Sequence, residues 1–233
     1  MMVNLNDPKY QIYNWPYLYF VEYEIASHIE ALSEIIKKSE DYSLKLETQF
    51  RVSLEKDFTF QNMKDDPDRG SYYDHYYLEL EESIAKISSI QRNSSLLMIY
   101  SLVEGLLNQI CSEIEKEFGF PIKIRDLNSS NSLNQYWIFL TKIFGIKPSK
   151  IEKYFTTLTQ NKFIRNSIAH SNSQIKKDNK FIKTIKGITL TEFNSYFEIR
   201  IENKEYIEKI LKNTESFFLQ LVRETNNRYK ELH

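Results

Sequence analysis

The sequence predicts a mainly α-helical bundle with long N-terminal helices and a small β-ribbon before its last helix. Three observations carry that expectation. Only 5 Gly and 5 Pro interrupt 233 residues, so the chain has few helix breakers. Apolar side chains recur at three- and four-residue steps over long stretches, as one face of a helix requires. Between Phe181 and Ile201 the pattern changes to β-branched residues around Gly187, followed by alternation, which suits an antiparallel ribbon.

The elements follow in order. The first residues, with Pro8, Trp15 and Pro16, read as irregular. A helix is expected from Tyr17, where Leu18, Val21, Ile25, Ile29, Leu32 and Ile36 form one stripe with His28 at its edge. Beyond Ser39 two periods compete. Tyr42, Leu44, Leu46, Phe50, Val52 and Leu54 occupy even positions, as in a strand, yet Leu46, Phe50 and Leu54 also make a helical row. No Gly, Pro or Asn lies between Ser39 and Gln61 to turn a hairpin, which favours a helical continuation. The stretch from Asn62 to Gly70, with Asp65-Asp66-Pro67-Asp68, reads as a solvated loop without the ligand spacing of a calcium site.

A long helical region is expected from about Tyr73 to Phe118, with a bend near Asn93-Ser94-Ser95. Tyr72, Tyr73, Tyr76 and Tyr77, around His75, could stack on bases, but are expected instead to cover a helix face or an interface. The row Leu96, Tyr100, Val103, Leu107, Ile110 and Ile114 is broad enough for a central buried helix, and Cys111 within it reads as a buried structural thiol. Glu104 lies in the same apolar stretch. An acid there is costly unless paired, so it is either a structural ion-pair member or a residue that orients a site. Gly119 and Pro121 end the helix. A polar loop precedes a short helix from Leu133 to Phe144, in which Trp137 packs, and Gly145 ends it. The next helix runs from about Lys150 to His170, with distortion near the polar run Thr156 to Asn161. The ribbon spans Phe181 to Ile201. The last helix begins near Asn203, a suitable N-cap, and the terminal His233 is expected to be disordered. No linker divides the chain. A single domain, 1–233, is expected, with 1–93 as an N-terminal helical extension packed on the bundle and 94–233 as its core.

Composition narrows the function. Cys111 is the only cysteine, which excludes an internal disulfide and a multi-cysteine metal site. No histidines and carboxylates show metal-ligand spacing, so no metal or cofactor is expected. The start has no basic stretch leading into an apolar run, and no segment of about twenty apolar residues is present. Cytoplasmic residence without a membrane partner is expected. The formal net charge of −1 hides an asymmetry. From Glu22 to Glu82 there are 16 acidic and 7 basic residues, a net of −9; from Lys142 to Lys186 there are 11 basic and 2 acidic, a net of +9. Such a basic block either steers a polyanion to one region or forms a solvated face that pairs with the acidic half.

The basic block contains the most informative stretch of the chain, Phe163-Ile164-Arg165-Asn166-Ser167-Ile168-Ala169-His170-Ser171-Asn172. On a helix, Asn166 and His170 share a face, and Arg165 lies one position round. Arginine can hold a phosphate through two prongs and stabilise charge developing on its oxygens. Histidine moves protons near neutral pH. Asn166 can orient the imidazole or hold a phosphate or base edge. RNA supplies its own nucleophile, the 2′-hydroxyl, so neither a metal nor an activated protein nucleophile is required. One histidine does not easily serve as base on one side of the phosphorus and acid on the other. Two copies brought together would supply both, which makes a homodimer an expectation.

Arg165-Asn166-x-x-x-His170, after several helices and before a last one, resembles the Arg-x4-6-His signature of HEPN proteins (higher eukaryotes and prokaryotes nucleotide-binding domains). The resemblance covers roughly Leu96 to His170 and the C-terminal helix. It implies a helical-bundle dimer whose signatures face each other and a metal-independent endoribonuclease of the kind found in toxins, abortive-infection and antiviral systems. Arg165, Asn166 and His170 would then be catalytic, and Glu104 the supporting acid. Lys162, Lys176 and Lys177 would contact RNA. An antitoxin or regulatory partner is also implied. Some members of that superfamily are inactive, so two other readings stand beside cleavage. One is a non-catalytic RNA- or nucleotide-binding module. The other is a structural or regulatory dimer in which Arg165 pairs with Glu104.

Overall fold

The computed structural model describes residues 12–129, 131–177, 182 and 185–233. Among these the chain is mainly helical with a small antiparallel sheet. The helices are α1 (Tyr17–Lys56), α2 (Phe58–Asn62), α3 (Arg69–Tyr76), α4 (Leu78–Phe118), α5 (Ser132–Ile138), α6 (Glu152–His170) and α7 (Lys204–Leu232). The strands are β1 (Gln174–Lys176), β2 (Ile188–Glu192) and β3 (Tyr196–Ile201), in the order β1-β3-β2. Most of the expected irregular start (1–11), and 181 and 183–184 of the expected ribbon, lie outside the described residues. The chain divides into two compact units, each discontinuous in sequence. One comprises Met1–Glu30, Ser101–Asn161 and Lys212–His233; the other comprises Ala31–Tyr100 and Lys162–Leu211.

In the first unit, Leu18, Val21 and Ile25 of α1 are buried, as are Val103, Leu107, Ile110 and Ile114 of α4 and Phe217, Phe218, Leu221 and Val222 of α7. Each such side chain contributes roughly 1.5–3 kcal/mol of burial. Cys111 is fully buried, and burial pushes its thiol well above the ordinary range. Asn131 caps α5, its Oδ1 accepting from the Asn134 amide at 3.0 Å. The expected helix from Leu133 to Phe144 is α5 followed by a π-helical turn over Phe139–Phe144. Gly145 ends it at φ 89°. A Cβ there would meet Arg228 Nε at 3.1 Å, the same nitrogen that donates to the Phe144 carbonyl at 2.8 Å. Trp137 stacks on Phe155 with ring centroids 4.2 Å apart.

The expected distortion of α6 near Thr156 to Asn161 is absent, and the helix is continuous. Thr157 Oγ1 donates to the Lys153 carbonyl at 3.1 Å, and Asn161 Nδ2 to the Thr157 carbonyl at 2.8 Å. These back-bonds satisfy the polar run inside the helix. His233, expected to be disordered, stacks on Tyr229 at 4.3 Å and meets Phe118 edge-on at 5.5 Å. His28 lies at the edge of the α1 stripe with its side chain half exposed and Nδ1 2.7 Å from the Glu24 carbonyl.

In the second unit, the competition beyond Ser39 resolves as helix. Leu46, Phe50 and Leu54 are half-buried, whereas Tyr42, Leu44 and Val52 are exposed. The expected single helix from Tyr73 to Phe118 is instead interrupted at Tyr77, which leaves helical geometry at φ −124°. Asp57 accounts for the break. It caps α2 by accepting from the Phe60 amide at 3.0 Å, and its other oxygen accepts from Tyr72 Oη at 3.0 Å and Tyr77 Oη at 2.5 Å. The tyrosines gather around Phe60, with Tyr77 at 5.9 Å and Tyr73 at 5.9 Å. The expected bend at Asn93-Ser94-Ser95 is also absent, since α4 is one helix and Ser95 Oγ donates back to the Gln91 carbonyl at 2.9 Å. In the sheet, Phe197, Ile199 and Ile201 of β3 are buried at alternate positions. Asn203 caps α7, accepting from the Tyr206 amide at 3.4 Å.

α4 carries an 18-residue stretch long and apolar enough, by length and composition, to cross a membrane, but half of that stretch is buried within the chain. A central helix of a folded core has the same property.

Candidate functional site

The site grows from the last turns of α6. Phe163, Asn166, Ser167 and His170 recur at i, i+3, i+4 and i+7, so they share one helix face. The chain then reverses through Asn172 and Ser173, both at positive φ (48° and 63°). Asparagine tolerates this region better than most residues; serine does so at a cost. Ser167 secures the reversal. Its carbonyl accepts from the Ser171 and Ser173 amides, each at 3.0 Å, and its Oγ donates to the Gln174 carbonyl at 2.9 Å. The Ile199 amide donates to the Ser173 carbonyl at 2.8 Å, which fastens the turn to β3. β1 is thereby laid beside the end of α6, with Ile175 opposite Phe197.

An open hollow of about 380 Å³ lies between these elements, walled by the α6 face and by Ser171, Gln174, Ile175 and Lys176. His170 is exposed and Asn166 half-buried on its α6 wall. Arg165 is half-buried, and its Nη1 donates to Asn166 Oδ1 at 3.0 Å. Arg165 itself is not among the residues that wall the hollow. The guanidinium therefore reaches the shared face through the carboxamide beside it.

The remaining candidates divide. Lys176 is exposed on the rim of the hollow. Lys177 pairs with Glu192 and sits 5.7 Å from the Phe197 ring centroid. Lys162 is only 8% exposed and is engaged within the chain. It therefore departs from the expectation of a surface RNA contact, because its position on α6 points it inward. Glu104 belongs to the first unit, half-buried on α4, and accepts from Ser132 Oγ at 3.1 Å. Among the described residues no three His, Cys, Asp or Glu side chains converge as a metal set.

Sequence reasoning missed Phe163, Ser167 and Gln174 as parts of this place. The helical spacing of Phe163, Ser167 and His170 was a legible signal. β1 was not, because three residues with one apolar position carry no usable period. No family model matches the chain, and no curated protein or solved structure is similar to it.

Proposed function

We propose that this chain is a HEPN-type, metal-independent endoribonuclease that cleaves RNA at a composite site in a homodimer, and that it acts as a toxin or antiviral abortive-infection effector. The observation that supports this most is the pairing on one α6 face of an exposed His170 with an Asn166 held by Arg165, beside a hollow open to solvent. In the proposed reaction His170 removes the 2′-hydroxyl proton and the 2′-oxygen attacks the adjacent phosphorus. The P–O5′ bond breaks, and His170 of the partner subunit gives a proton to the leaving O5′. The arginines neutralise charge on the non-bridging oxygens. The products are a 2′,3′-cyclic phosphate and a 5′-hydroxyl.

The test is cleavage of a mixed-sequence RNA in the presence of EDTA, with the new ends identified chemically. His170→Ala and Arg165→Ala each reduce cleavage by roughly 10²–10⁴-fold. Cleavage that persists in His170→Ala at the parental rate overturns the proposal.

A second reading, RNA binding without cleavage, draws on the state of the cations. Lys176 stands exposed at the rim of the hollow, where a phosphate can meet it, while Arg165 is engaged by Asn166 rather than held out over the hollow. That reading expects salt-dependent RNA affinity with no product.

A further inference from the structure

The hollow beside His170 has walls of a particular chemistry. Phe163 supplies an aromatic ring and Ile175 a buried aliphatic side chain. Asn166 and Gln174 add two carboxamides from opposite elements, and Lys176 adds a cation at the rim. Its volume of about 380 Å³ lies at the small end of ligand clefts, the size class of one nucleotide. A peptide side chain or a lipid tail would use the apolar wall but leave the carboxamides without partners. A free phosphate would use the lysine but not the ring. A nucleobase uses all of it: its face stacks on an aromatic ring, its edge pairs with a carboxamide donor and acceptor, and its phosphate meets the rim cation.

We infer that this hollow is a nucleobase-reading subsite, in which the RNA base next to the cleaved phosphate stacks on Phe163 and is hydrogen-bonded by Gln174. The inference rests on the proposed ribonuclease reading and adds to it a sequence preference at one nucleotide position. Gln174 is suited to the role because it is exposed on β1 while its backbone is held at both ends. The Gln174 amide donates to the Ser171 carbonyl at 2.8 Å, and the Gln174 carbonyl accepts from Ser167 Oγ at 2.9 Å. A side chain presented from a fixed backbone can discriminate edges, whereas one on a loose loop would adapt to any base. Asn166 is less free to choose, since its Oδ1 already accepts from Arg165. Lys176 touches no base edge in this arrangement and adds affinity without selectivity.

The experiment has two arms on the full-length protein. In the first, cleavage sites in a random-sequence RNA pool are mapped for the parent, Gln174→Ala and Lys176→Ala. In the second, fluorescence anisotropy measures binding of non-cleavable 2′-deoxy pentamers of A, C and T. Parent binding differs roughly tenfold between the best and worst base, and Gln174→Ala compresses that ratio to about twofold. Lys176→Ala weakens all three by a similar factor and lowers the salt dependence. The mapped sites lose their positional bias in Gln174→Ala, as cleavage at the formerly preferred sites falls toward that at the others. Cleavage with no positional bias, or a bias that Gln174→Ala leaves unchanged, overturns the subsite and leaves the nuclease standing. Base-selective binding that responds to Gln174 without any cleavage retains the subsite and overturns the nuclease reading. Equal affinity for all pentamers together with no cleavage overturns both.

Discussion

Arg165 Nη1 donates to Oδ1 of the adjacent Asn166 at 3.0 Å. Neighbouring residues on a helix point about 100° apart, so this contact draws the guanidinium and the carboxamide toward each other across the helix surface. The carboxamide is thus one of the groups that hold the positive charge. Within the proposed reaction, Asn166→Ala removes this bond to the guanidinium and lowers kcat roughly tenfold, a smaller loss than Arg165→Ala. Asn166→Asp is the sharper test. A carboxylate holds the guanidinium as an ion pair and competes with the phosphate for it, so cleavage falls below that of Asn166→Ala. An Asn166→Asp enzyme more active than Asn166→Ala contradicts a positioning role.

Ser167 makes a related prediction about stability. It is 5% exposed and donates to the Gln174 carbonyl at 2.9 Å. Ser167→Ala removes that bond while keeping the helix, at a cost of about 1 kcal/mol in urea unfolding. The turn through Asn172 and Ser173 loosens with it, and amide exchange at Gln174 and Ile175 accelerates more than at the middle of α6. Uniform exchange across both segments would show that Ser167 does not hold the turn.

Much of the scaffold was legible because long helices carry a strong period. The α1 stripe, the end of α4 at Gly119, the stop at Gly145 and the cap at Asn203 all follow from residue chemistry that acts locally. The failures share a cause. The break at Tyr77 depends on Asp57, twenty residues earlier, and no local pattern announces a carboxylate that will gather two tyrosines. The polar run in α6 and the serines of α4 suggested distortion, yet side chain to backbone bonds absorbed them. At the site, the α6 half was visible as a helical face. The β1 half was not, because Gln174 arrives there only through a left-handed turn at two non-glycine residues. Lys162 looked like part of a basic surface until its helical phase placed it inside.

The second unit contains a two-pronged charge-assisted tie. Arg92 Nε and Nη2 donate to the two oxygens of Glu40 at 2.7 and 2.8 Å, and Nη1 donates to the Glu202 carbonyl at 2.5 Å. Both side chains are 17% exposed. A two-pronged pair this far from water, with a third bond to the end of β3, is worth more than a surface pair. Arg92→Ala and Glu40→Ala each lower unfolding stability by roughly 2–3 kcal/mol. The double variant loses much less than the sum, with a coupling of about 1–2 kcal/mol. Additive losses in the cycle reject the tie as a stabilising element.

Asp57 gives the second unit an acid-sensitive joint. The hydrogen bond from Tyr77, then the Phe60 amide and the bond from Tyr72, hold its carboxyl below the usual aspartate range. The same contact raises Tyr77 to about 12. The sign follows from linkage. A carboxyl whose pKa is depressed by folding contributes stability in full above its unfolded pKa, near ~3.9, and loses it as pH falls through the lower folded value. Neutral and mildly acidic solutions therefore leave the tyrosine cluster intact, and the contribution disappears only in strong acid. Asp57→Asn cannot ionise. It is less stable than the parent at pH 7, and the difference narrows steadily below pH ~4. Amide exchange at Phe60, Tyr72 and Tyr77 during acid titration follows the cluster around Phe60. If the parent and Asp57→Asn lose stability in parallel from pH 7 into strong acid, the carboxylate is not what holds α2 and the break between α3 and α4 in place.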